Sequence, residues 1–81
     1  MSIKKEKINL EMIEVTIKSS TIKSASYDSL AERLTITFNS GQSYEYRKVP
    51  MLTFTKFRLA KSQGTYFNKY ISNEFKFKKV K

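Results

Sequence analysis

From Met12 onward, apolar Ile13, Val15 and Ile17 alternate with Glu14, Thr16 and Lys18, the period of a strand with one buried face. Residues 1–11 before it are charged and aperiodic, and read as a loosely docked N-terminal arm. Ser19-Ser20 interrupts the alternation, and Ile22 to Tyr27 then offers a second short strand with Ala25 and Tyr27 on one face. Asp28-Ser29 opens a turn that reaches Arg33. The clearest strand follows, with Leu34, Ile36 and Phe38 alternating with Thr35, Thr37 and Asn39.

The hairpin after it can be placed in register. Asn39-Ser40-Gly41 suits a type I turn followed by Gly41 in the left-handed conformation as a bulge. That loop sets Phe38 opposite Gln42, Ile36 opposite Tyr44 and Leu34 opposite Tyr46, so apolar faces apolar. A two- or four-residue loop would set Ile36 against Glu45 instead. Core packing is therefore expected for Tyr44 and Tyr46 in preference to base stacking, because the helices should cover their face and leave Thr35, Thr37, Ser43, Glu45 and Arg47 on an outer face without aromatics.

Val49-Pro50 ends the strand, because proline lacks an N–H and biases the preceding residue toward extended geometry. Pro50 also suits the start of a helix running to about Lys61, whose Phe54, Phe57 and Ala60 face the sheet. Leu52 and Leu59 lie on another face of this helix. They are expected to be covered by later chain; left open, they would serve a partner. Ser62 is a candidate N-cap for a second helix to about Ser72, with Tyr66, Phe67, Tyr70 and Ile71 as its apolar side. The end, Phe75-Lys76-Phe77-Lys78-Lys79-Val80-Lys81, alternates like an edge strand or an extended tail. Its lysines would in either case discourage edge-to-edge aggregation. The pattern gives an α+β domain: a small antiparallel three- to four-stranded β-meander packed against two C-terminal helices. Its divisions are an arm (1–11), the domain (12–75) and a basic C-terminal tail (76–81).

Composition narrows the function. Eighty-one residues make one domain. There is no cysteine for a disulfide or thiolate site, and no histidine, which removes the commonest general base and metal ligand together. No apolar run approaches the roughly 18–20 residues of a membrane span, and the basic start lacks an apolar region behind it. A cytoplasmic protein without membrane association is expected. The seven carboxylates are scattered with no pair placed for acid/base work, and two glycines make no phosphate loop. No catalytic residue, metal site or cofactor is expected.

Charge changes the picture most. Residues 1–46 carry six bases and six acids, whereas residues 47–81 carry ten bases against Glu74 alone, so the net +9 is 10 − 1 from the back of the chain. A one-sided positive footprint attracts polyanions or acidic protein surfaces, although a solvated lysine-rich surface would look the same. The candidate phosphate contacts are Arg47, Lys48, Lys56, Arg58, Lys61 and Lys69, with Lys76, Lys78, Lys79 and Lys81 as a flexible electrostatic arm. Ser62 and Gly64 beside Lys61 could offer backbone N–H groups to an anion, but capping alone accounts for Ser62.

The ordered set Ser19-Ser20-x-Ile22, Tyr27-Asp28, Leu34-x-Ile36-x-Phe38, Gly41, Tyr44-x-Tyr46, Val49-Pro50 and Ala60-x-Ser62-x-Gly64-x-Tyr66-Phe67 with Ile71 resembles the KTSC domain, over about residues 13–75. That family is named for the C-terminus of some lysyl-tRNA synthetases and also occurs as short free-standing proteins of bacteria and phages. The resemblance implies RNA binding only through the family's domain company, and it carries over no catalytic residue. The leading expectation is a non-catalytic nucleic-acid-binding domain that contacts the phosphate backbone, preferring RNA to DNA. The alternatives are a structural subunit of a larger assembly, or a protein-interaction module such as a phage-encoded adaptor or inhibitor. That module would dock on an acidic host protein through Leu52 and Leu59, with Lys56 and Arg58 as steering charges.

Overall fold

Five antiparallel strands form one sheet in the computed structural model, which describes residues 12–81. The arm expected over residues 1–11 lies outside them. The strands are β1 (Met12–Thr16), β2 (Ile22–Asp28), β3 (Arg33–Phe38), β4 (Ser43–Tyr46) and β5 (Phe77–Lys79), in spatial order β1-β2-β3-β4-β5. Helices α1 (Met51–Leu59) and α2 (Gln63–Tyr70) fill the connection between β4 and β5. The architecture is the α+β meander with two helices read from the sequence, extended by a fifth strand.

Local chemistry sets the joints. Asp28 Oδ1 accepts from the backbone N–H groups of Leu30 and Ala31, which closes the β2–β3 turn. The β3–β4 hairpin has the deduced register: Leu34 faces Tyr46, Ile36 faces Tyr44, and the Phe38 N–H reaches the Gln42 carbonyl at 2.8 Å. Gly41 donates its N–H to the Phe38 carbonyl at φ +99°, a backbone that side chains rarely adopt. Lys48, left-handed at φ 58°, turns the chain out of β4 toward α1. Val49 is then clamped by both backbone groups, its N–H on the Glu32 carbonyl at 2.8 Å and its carbonyl on the Tyr27 hydroxyl at 2.6 Å.

The core is the inner face of the sheet under the helices. Ile22, Tyr27, Leu34, Ile36, Phe54, Phe57 and Ile71 are fully buried. Tyr27 stacks on Phe54 with ring centroids 4.6 Å apart, and Phe67 packs edge-on against Phe38 and Tyr46. Ser62 caps α2, its hydroxyl accepting from the Thr65 N–H at 3.2 Å.

Three expectations need correction. Residues 76–81 are not a free arm: Tyr46 pairs with Phe77, Glu45 with Lys78 and Tyr44 with Lys79, and the Arg47 N–H bonds to the Lys76 carbonyl. The open outer face is partly closed. Ser43 is buried with its hydroxyl 2.9 Å from that of Thr37, and Glu45 is buried in an ion pair with Arg33 at 2.6 Å. Leu52 and Leu59 are uncovered, at 63% and 73% exposure. Neither α2 nor β5 crosses over α1: α2 meets it side by side, Tyr66 against Phe57, and β5 pairs at the far edge of the sheet. Leu52→Ala and Leu59→Ala are therefore each expected to change stability by less than about 0.5 kcal/mol in denaturant titrations, the usual range for exposed positions.

Candidate nucleic-acid interface

The fold gathers six of the ten late bases along one sheet edge. β5 pairs on one side only, and Lys76, Lys78, Lys79 and Lys81 run along it or directly flank it. The Arg47 N–H to Lys76 carbonyl bond draws Arg47 and Lys48 to the start of the same strand. These two residues line a depression of about 380 Å³ with Glu74, Phe75 and Lys76. At the other end, the Ser43 N–H bonds to the Lys81 carbonyl. All six side chains are exposed, and Glu74 is the one carboxylate of residues 47–81. Alternation puts Lys78 on the outer face opposite Glu45 and Lys79 on the inner face opposite Tyr44.

Lys56, Arg58, Lys61 and Lys69 lie instead on the helices and the joint between them. Lys56 and Arg58 occupy the last turn of α1, and Lys69 that of α2, where cations suit the helix dipole. The Arg58 guanidinium sits 6.0 Å over the Phe54 ring. Ser62 and Gly64 meet Ser19 and Ser20 across a cavity of about 200 Å³, so two separated pieces of the sequence pattern adjoin in space. Both hydroxyls that matter there are engaged: Ser19 accepts from the Thr21 and Ile22 N–H groups, and Ser62 caps α2.

Beside the basic edge lies an open cleft of about 670 Å³ that sequence reasoning missed. Phe38, Tyr44, Tyr46 and Phe77 form its aromatic wall, and Gln42, Asn73 and neighbouring hydroxyl residues its polar rim. Phe67 of α2 covers Tyr46, but the helix ends at Tyr70 and the chain leaves through Ser72 and Asn73, so Phe77 stays half exposed. The alternation of Phe75 and Phe77 beside Tyr44-x-Tyr46 was the available signal. The β4–β5 register behind it spans two helices and could not be read locally.

Titration of the aromatic hydroxyls follows burial. The Tyr46 hydroxyl is pushed up to about 12, chiefly by burial and secondarily by Tyr44. Tyr27 is raised as well, first by burial, then by Glu32 and Asp28. A pKa raised by folding gives stability that is present below the unfolded value and lost as pH climbs through the folded one. Unfolding followed by circular dichroism is therefore expected to show this contribution intact below pH 10.0 and declining toward pH about 12. Among the described residues no three carboxylates gather closely enough to hold a metal ion, and no helix is long and apolar enough to cross a membrane.

The model of the KTSC domain family matches residues 18–75. Residues of this chain are 43% identical over 63 positions to a lysine–tRNA ligase of Nostoc punctiforme, covering 78% of the chain but 11% of the ligase. A lysine–tRNA ligase of Trichormus variabilis is similar at 40% identity over the same length, again 11% of the enzyme. The crystal structure of a KTSC domain protein from Yersinia pestis superposes with a TM-score of 0.80 at 32% identity, over 86% of this chain and 99% of that one.

Proposed function

The chain belongs to the KTSC domain family, and from that premise we propose that it is a non-catalytic RNA-binding domain that grips the phosphate backbone along its β4–β5 edge. The observation that carries this reading is the convergence of Arg47, Lys48, Lys76, Lys78, Lys79 and Lys81 on one exposed strand edge. Six cations on one strand edge, divided between its two faces, concentrate positive potential there and suit a phosphate backbone, whereas the same charges scattered would be a solvated surface. RNA is favoured over DNA because the sequence relatives are ligases named for a tRNA, in which a similar segment makes up 11% of the length. Lys56, Arg58, Lys61 and Lys69 contribute the longer-range field and steer association.

The test is salt dependence. Six contacts to single-stranded RNA give an expected slope of log affinity against log salt of about −4, at roughly 0.7 released counterions per contact. Fluorescence anisotropy of a labelled oligonucleotide across a salt series measures it. Absence of binding at low salt removes the reading, and a slope near zero removes its mechanism.

A second reading, a protein-docking module, draws on the exposure of Met51, Leu52 and Leu59 along the outward side of α1 beside Lys56. Affinity capture with and without nuclease treatment separates the two. Partners lost on treatment support RNA, and partners that persist and vanish in Leu52→Ser support docking.

A further inference from the structure

Resting on the RNA reading above, we propose that the aromatic cleft at the β4–β5 edge is a stacking subsite for one unpaired base of a single-stranded RNA. Its rings are arranged to receive a planar group. Phe38 and Tyr44 stand edge to face, with centroids 5.8 Å apart and planes at 80°, so a ring lying on one meets the edge of the other. Phe77 tilts against Tyr44 at 5.7 Å and Tyr46 at 5.3 Å, and remains 53% exposed. An apolar ring half in water on a strand otherwise made of lysine gains little from folding, whereas it completes the wall of a site.

The rim and the charges select the occupant. The side-chain amides of Gln42 and Asn73 line the cleft without a partner among the described residues, and each presents a donor and an acceptor suited to the edge of a base. Lys79 lies directly opposite Tyr44 on the same sheet face, so a base on the aromatic wall carries its own phosphate to a lysine. That pairing of aromatic platform with adjacent cation is how single strands are held without strong sequence preference. A duplex keeps its bases stacked and cannot offer one to the cleft. The cleft volume of about 670 Å³ falls within the usual range of small-ligand sites, roughly 300–1,000 Å³.

The experiment compares a short single-stranded oligouridylate with an abasic strand of the same length and charge. Wild-type protein is expected to bind the base-bearing strand about 5- to 150-fold more tightly, the range of one base–aromatic stack. Phe77→Leu should remove most of that difference while leaving affinity for the abasic strand unchanged. Equal wild-type affinities for the two strands overturn the subsite, leave backbone binding standing, and point to a different occupant such as an aromatic peptide side chain. No binding of either strand overturns the subsite and the RNA reading together. The wild-type comparison decides the question even if Phe77→Leu melts early.

Discussion

Phe54→Ala is expected to lower the melting temperature by about 12–40 °C. The Phe54 side chain has no solvent exposure, stacks on Tyr27 at 4.6 Å with planes 8° apart, and touches Phe57 at 6.4 Å. Tyr27 in turn holds the Val49 carbonyl, so the ring supports the joint that launches α1. Truncating a buried phenylalanine costs roughly 3–5 kcal/mol, against a total stability of about 5–15 kcal/mol for a domain. At about 4–8 °C per kcal/mol for a chain of this size, the range above follows. Scanning calorimetry measures it. A shift of only a few degrees would mean that α1 does not close the core, and the stacked pair would lose its assigned weight.

The second large effect is electrostatic. Combining Lys76→Glu, Lys79→Glu and Lys81→Glu with Lys78→Gln removes four of the six edge contacts. The glutamine at residue 78 avoids placing a carboxylate opposite Glu45, where like charges repel across the ladder. With two contacts left, the salt slope is expected to fall from about −4 to about −1.4, and affinity at moderate salt by roughly two to three orders of magnitude. All four side chains are exposed, so the melting temperature should move little. Reversing Lys56, Arg58, Lys61 and Lys69 instead should mainly slow association. An equal loss from that helical set would relocate the interface to α1 and α2.

The parts of the fold legible in the sequence are those decided by neighbours in the chain. The hairpin register followed from Gly41 and from Ile36 having to avoid Glu45, and the structure pairs Ile36 with Tyr44. Ser62 declared its cap through its position before an apolar helix, and Pro50 declared the start of α1. What stayed hidden depends on distant partners. β5 is three residues long, Phe77-Lys78-Lys79, with the apolar alternation broken at Lys79, and only Tyr44 and Tyr46, more than thirty positions earlier in the sequence, make it a strand. Leu52 and Leu59 looked like a second buried face, because periodicity marks apolar positions without saying whether another element crosses them. Ser43 and Glu45 alternate outward as expected, yet Thr37 and Arg33 engage them from the adjacent strand. For the candidate site, the ten late bases were visible as a list. Their division into an edge row and a helical set, and the cleft beside the row, required the sheet order.

Mapping by nuclear magnetic resonance tests the central claim most directly. Amide signals of the isotopically labelled protein, followed during titration with a short single-stranded RNA at low salt, report where the strand lies. Shifts concentrated on Ser43–Lys48, Asn73 and Lys76–Lys81 are the expected result. Shifts confined to the outward side of α1 around Leu52, Lys56 and Leu59, or no shifts at all, would contradict it.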